Sequence, residues 1–172
     1  MLTALAVVAL SMLDERPMHP YEMYQLMLKR RDDRLVKVRP GSLYHTIDRL
    51  QQHGLVSIAG TDREGNRPER TIYAISDSGR EALAARLSEM VRERAEEYPQ
   101  FPLGLSQLHH LPLHDAVSLL RSRVAHLRQC RAELEQGRLH VAEQQVAEKY
   151  WLDLHYQATM LDAEITWIDG LL

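Results

Sequence analysis

Arg39-Pro40-Gly41-Ser42-Leu43-Tyr44-His45-Thr46-Ile47-Asp48-Arg49-Leu50-Gln51-Gln52-His53-Gly54-Leu55 reads as one short helix with both ends marked. Pro40 and Gly41 form its opening turn, and Ser42 is the candidate cap for the first free backbone N–H groups. Gly54 suits the left-handed position after a last turn. Leu43, Ile47 and Leu50 fall at i, i+4 and i+7 and make one apolar stripe. At roughly 100° per residue, His45, Asp48, Arg49 and Gln52 lie on the opposite side, with Tyr44 on the flank. That outer face is polar, planar and hydrogen-bonding, with little net charge. It suits the reading of base edges and phosphates in a DNA major groove. A solvated face on an ordinary helix is the competing reading.

Upstream, Leu2–Leu13 is apolar nearly all round, which predicts a buried helix. Asp14-Glu15-Arg16-Pro17 ends it. Met18-His19-Pro20-Tyr21 opens a second helix, with Pro20 near its first position, running to about Arg31. Asp32-Asp33-Arg34 breaks that pattern. Three helices joined by short linkers are the layout of a helix-turn-helix, whose third helix docks in the groove while the second braces it. Downstream the period changes to two. Leu55–Ala59 is a strand, Gly60–Glu69 a polar loop and Arg70–Ile75 a second strand. A hairpin in that place is a wing. Arg63, Arg67 and Arg70 lie in or beside its loop, where they could reach phosphates or a narrow minor groove. Glu64 and Glu69 partly cancel that charge, so a merely solvated loop stays open.

Ser76 is the expected cap of a fourth helix, with Ser78 and Glu81 as an alternative capping box. Leu83, Leu87, Met90, Val91 and Arg94 follow at helical spacing, and Pro99 is the expected stop. The prolines and glycine of Tyr98–Gly104 mark a boundary. This predicts a DNA-binding domain over 1–98, a hinge over 99–111 with a short helical turn near Leu105–His110, and a two-helix dimerisation domain over 112–172. In that last part Val117, Leu120, Val124, Leu127 and Leu134 follow a seven-residue repeat on a helix from Pro112 to about Gln136, with Gly137 as breaker. Trp151, Leu154, Ala158, Leu161, Ile165, Ile168 and Leu172 then alternate spacings of three and four, a heptad seam. Tyr150, Tyr156, Met160 and Trp167 add apolar surface outside it. Two helices alone do not bury so much, so the seam is expected to join two subunits. A homodimer also matches the two DNA heads that a palindromic site needs. Packing within one chain is the competing reading.

Composition sets the outer limits. The chain of 172 residues is 45% hydrophobic, 26% charged and 6% aromatic, which favours a mainly helical protein. Its net charge of −3 excludes a basic nucleic-acid coat. Residues 1–80 carry 12 Lys and Arg against 10 Asp and Glu, whereas residues 81–172 carry 9 against 14. Cys130 is the single cysteine, so no intrachain disulfide forms and a reducing compartment is expected. Leu2–Leu13 is too short to span a bilayer and lacks a basic flank or cleavage site, so a cytoplasmic location without membrane partners is expected. His109, His110 and His114 cluster, but no Cys or acidic residue completes a zinc spacing. No phosphate-binding glycine loop, nucleophile elbow or paired carboxylate site is visible, so neither an enzyme nor a cofactor or metal is expected. Tyr98, Phe101, Tyr150, Trp151, Tyr156 and Trp167 either line a ligand pocket or pack as core and seam.

With those residues in view, the chain resembles the PadR-like transcriptional regulators. The resemblance covers about residues 2–90. It rests on the apolar first helix, Met18-His19-Pro20-Tyr21-Glu22, Arg39-Pro40-Gly41-Ser42-Leu43-Tyr44, Leu50 with Gly54-Leu55, Arg67-Pro68-Glu69-Arg70-Thr71-Ile72-Tyr73 and Ile75-Ser76-Asp77-Ser78-Gly79-Arg80. The C-terminal part is similar in length and pattern to the larger subfamily, whose last helices form the dimer. The resemblance implies a winged helix-turn-helix repressor of a palindromic operator, released by a small, often aromatic ligand. It places Tyr21 near the phosphate backbone, Ser42, Leu43 and Tyr44 at the start of the recognition helix, and Arg67 and Arg70 in the wing. Pro20 stands in place of a commoner glycine and His45 in place of a commoner proline, so no operator sequence follows. The full expected DNA-facing set is Tyr21, Arg39, Ser42, Leu43, Tyr44, His45, Asp48, Arg49, Arg63, Arg67 and Arg70. A winged-helix protein-interaction module without sequence-specific DNA binding is the alternative, favoured by the near-neutral helix face.

Overall fold

The structure is a computed structural model, and it describes residues 1–62 and 70–172. The chain divides into two compact units, residues 1–96 and 97–172. Among the described residues no helix is long and apolar enough to cross a membrane.

The first unit is mainly helical with one antiparallel hairpin. Helix α1 (Ala4–Glu15) is capped by Thr3, whose Oγ1 accepts from the Ala6 N–H. It buries Leu5, Ala6, Val7, Ala9, Leu10, Met12 and Leu13, so an all-round apolar helix forms the core axis as expected. Helix α2 (Pro20–Arg30) begins with Pro20, which has no N–H to leave unsatisfied. It stops where Arg31 adopts a left-handed conformation, φ 62°, and Asp32–Arg34 makes a 3-10 turn. Helix α3 (Pro40–Gln52) drives Leu43, Ile47 and Leu50 into the same core as Met23 and Met27 of α2. Gly54, at φ 69°, turns the chain out of α3. Strands β1 (Val56–Asp62) and β2 (Arg70–Ile75) pair antiparallel, with Val56 opposite Ile75 and Asp62 opposite Arg70. Gly60 belongs to β1 rather than to the loop. The register shifts between Ile58 and Gly60, so the extra residue bends the strand.

Tyr73 also pairs outward with Met18, N to O at 3.1 Å in both directions, so the α1–α2 link acts as a third rung beside the hairpin. Helix α4 (Asp77–Arg92) is capped by Ser76, whose Oγ accepts from the Gly79 N–H at 3.0 Å. The alternative box on Ser78 does not form; that hydroxyl donates to the Gly54 carbonyl instead. The helix ends seven residues before Pro99, and Arg94 lies outside it.

The second unit contains α5 (Gln100–Ser106), α6 (Leu113–Glu143) and α7 (Leu152–Leu171). The stretch 99–111, expected as a hinge, holds α5 and a 3-10 turn. Within this unit Phe101, Leu105 and Leu108 pack against Leu120, Val124, Leu127 and Ile168. Gly137 does not break α6. A glycine costs a helix only about 1 kcal/mol, and Arg138 holds Glu135 across it at 2.5 Å.

Part of the heptad seam packs within the chain. Leu154 and Ile168 are buried within the single chain, and Leu161 and Ile165 pack on the α6 stripe. Arg123–Glu164, Arg128–Asp169 and Arg131–Asp162 ion pairs, at 2.6, 2.7 and 3.0 Å, also join α6 to α7. Trp151 precedes α7 and donates from its indole to the Val146 carbonyl at 2.9 Å, and Leu172 is exposed. A short link folds α7 back along α6, so the helix before the seam is the nearest surface that can bury it.

Candidate nucleic-acid interface

The exposed side of α3 and the residues flanking it form the site. Backbone geometry decides which side chains it offers. Helix α3 starts three residues earlier than a Ser42 cap would require, because Pro40 already has the fixed φ of a first helical residue. Arg39 therefore occupies the cap position and makes no side-chain cap. Ser42 sits inside the first turn, exposed, and its carbonyl accepts from the Thr46 hydroxyl at 2.8 Å. The amides of Gly41 and Ser42 have no acceptor inside the helix, which leaves them for an anion or water. Leu43 is 0% exposed and belongs to the core. Its place among the DNA-facing residues is corrected: it anchors α3 from behind.

Three positions set the two flanks and the ridge between them. On one flank the Tyr44 ring meets His19 edge-on, centroids 6.1 Å apart. His19, Pro20, Tyr44, Ile47, Asp48, Thr71 and Tyr73 line a small polar hollow of about 150 Å³. Tyr21 is half exposed beside it, and the Arg70 guanidinium lies 6.0 Å from its ring centroid. The structure thus gathers Tyr21, Tyr44, Asp48 and Arg70, which come from three separate elements. His45 and Gln52 stand exposed on the ridge. Arg49 is exposed on the other flank, toward α1 and α4. Arg63 and Arg67 lie outside the described residues.

Electrostatics on the first flank are tuned by burial. Desolvation, then the Arg70 charge, hold the His19 imidazole below its usual 6.5, with Glu22 opposing. Its Nδ1 is therefore free to accept from the Tyr21 N–H at 3.0 Å and cap α2. Desolvation, with Asp48 and Tyr44 nearby, raises the Tyr73 phenol. His19, Thr71 and Tyr73 were absent from the expected set. For His19 a signal existed, since it precedes a first-position proline; for the strand residues it did not, because only the Met18–Tyr73 pairing brings them to α3.

Such a face can donate and accept hydrogen bonds along a groove and place one or two cations on phosphates. His109 and His110 lie ring to ring at 4.2 Å, and His114 contacts Asp115 at 3.2 Å. Among the described residues no group of three His, Cys, Asp or Glu could hold a metal ion.

Residues 9–85 match the transcriptional regulator PadR-like family. No curated protein matches the sequence. Bacillus subtilis PadR in complex with operator DNA is similar in fold, with 15% identity, TM-score 0.78, and 98% of this chain and 97% of that chain covered. The same Bacillus protein in complex with p-coumaric acid gives 13% identity and a TM-score of 0.76, over 98% and 96%. The Vibrio cholerae virulence activator AphA gives 18% identity and a TM-score of 0.69, over 98% and 96%.

Proposed function

We propose, from a chain whose residues 9–85 form a PadR-like regulator domain, that it is a DNA-binding transcriptional regulator acting as a repressor, released from a palindromic operator by a small ligand. The observation that carries the reading is the exposed α3 face beside the hairpin, where Tyr44, His45 and Arg49 are offered to bases and Tyr21, Arg39, Ser42 and Arg70 to the backbone. Asp48 would accept from a cytosine amino group. Arg63 and Arg67 extend the same reading to the hairpin loop. The operator complex of the Bacillus relative supports the DNA partner, and its p-coumaric acid complex supports a small aromatic effector.

The acting form is a homodimer. With Leu154 and Ile168 buried inside the chain, α7 carries a second apolar stripe. Leu152, Tyr156, Met160, Trp167 and Leu171 are exposed on the side opposite the buried seam. A helix apolar on both sides asks for burial on both. The protein works in the cytoplasm, without catalysis or a resident cofactor, and its DNA-binding and dimerisation domains follow the division near residue 98.

Fluorescence anisotropy with the region upstream of its own gene, against scrambled DNA over a salt series, tests this. Specific binding tighter than scrambled by about 10³ or more, with a steep salt slope, is the expected result. No binding to any DNA at low salt would instead indicate a protein-interaction module.

A further inference from the structure

His19 is half-buried where the start of α2, the first half of α3 and the start of β2 meet, and it lines the polar hollow beside Tyr44. Its Nδ1 accepts from the Tyr21 N–H at 3.0 Å, one of the amides that a helix start leaves without an internal acceptor. A neutral imidazole carries one proton, so this bond places it on Nε2. The other side of the ring meets Tyr44 edge-on, centroids 6.1 Å apart. One ring thus ties the backbone of Tyr21 and backs the side chain of Tyr44. Glu22 of α2, Tyr44 and Asp48 of α3, and Arg70 and Tyr73 of β2 are the charged and titratable groups around it. Glu22 is already paired with Arg16, and Arg70 repels a second positive charge. A second proton has only Nδ1 to go to. It would set two N–H groups face to face and break the cap.

We propose that His19 is a positioning residue of the DNA interface that works as the neutral ring: Nδ1 fixes the start of α2 and with it Tyr21, the ring edge backs Tyr44, and a second proton releases both and lowers the preference for operator. Contacts to phosphates set the register in which base contacts are read. A displaced Tyr21 therefore costs the specific complex more than the sequence-independent one. A histidine that served DNA as a cation would do the reverse, gaining affinity for phosphates as pH falls. The sign of the pH dependence separates the two roles. This role rests on the DNA-binding reading; the tautomer of the free protein does not.

The test uses the full chain and fluorescence anisotropy with DNA from the region upstream of its own gene and with scrambled DNA, at about pH 8 and about pH 5 and constant ionic strength. The readout is the ratio of the two affinities, which does not move with the fraction of protein folded. At the higher pH, His19→Asn, whose side chain still accepts from the Tyr21 N–H, keeps a ratio at least about threefold above that of His19→Ala. On going to the lower pH, the wild-type ratio falls at least about threefold relative to His19→Asn, as the competent neutral fraction shrinks. His45 and His53 titrate in both proteins and cancel in this comparison. Imidazole nitrogen shifts of the free protein at the higher pH report the Nε2–H tautomer of His19. Equal ratios for His19→Asn and His19→Ala, parallel profiles for wild type and His19→Asn, a wild-type ratio that rises as pH falls, or an Nδ1–H tautomer overturns the proposal. If the wild type shows no preference for its upstream DNA at the higher pH, the regulator reading fails and this role falls with it. If that preference is present and the profiles are parallel, the role of His19 falls alone.

Discussion

His19 shows how much one side chain at the interface has to do. Its ring meets Tyr44, and its Nδ1 caps the helix that carries Tyr21. The cap needs a bare nitrogen, and the folded pKa is held below 6.5 by burial first and Arg70 second. An unfolded chain therefore takes up this proton more readily. Stability from the cap is complete above about pH 6.5 and fades as pH falls through the lower folded value. His19→Asn keeps an acceptor that does not titrate. The wild type should lose more Tm than this variant between about pH 7.5 and pH 5, and parallel profiles would remove His19 from the account. The two arginines divide differently. Arg49→Ala should cost about 1–3 kcal/mol of operator preference if it pairs with a guanine, read by anisotropy against scrambled DNA. Arg70→Ala, beside Tyr21, should weaken binding to all sequences alike and lower the salt slope by about one; an unchanged slope excludes a phosphate contact.

At the scale of elements, the closest approach in the first unit is the start of α4 against the turn after α3. A Cβ on Gly79 would lie 2.1 Å from the Leu55 carbonyl oxygen and 2.8 Å from Ile75 Cγ1. Both neighbours are held, the oxygen by the Ser76 N–H at 3.1 Å. Gly79→Ala should therefore cost at least about 1–3 kcal/mol, measured by urea unfolding, and should misplace α3 relative to the hairpin. A stability unchanged by this substitution would mean that α4 shifts freely. The elements themselves were largely legible. Leu43, Ile47 and Leu50 announced the buried side of α3 by spacing alone, and Pro20 and Gly54 announced a start and a stop. Ser42 misled because two capping devices compete there, and the proline wins by its preset φ. Gly60 misled because a bulge lets a strand continue through a residue that usually marks a turn.

For the whole molecule the deciding surface is α7. Ile168 on its heptad side is buried, Leu161 and Ile165 pack on α6, and its other apolar side is exposed. The double variant Met160→Glu with Trp167→Glu should give a monomer by light scattering, with helicity retained and operator affinity reduced. Ile168→Ala, at 0% exposure, should instead destabilise the second unit by about 2–5 kcal/mol. If the double variant stays dimeric, another surface joins the copies.

Spacing and punctuation along the chain determined the succession of helices and hairpin, the buried side of each and the polar side of α3, because these follow from a residue's own period and its immediate neighbours. Which seam residues a neighbouring helix covers depends on which surface lies nearest, and only the packing of α6 on α7 showed Ile168 buried and Leu161 and Ile165 against the α6 stripe. The same holds for the meeting of His19, Tyr44 and Tyr73. Those residues are far apart in sequence, and no local rule relates them until burial of the core brings their helices and strands together.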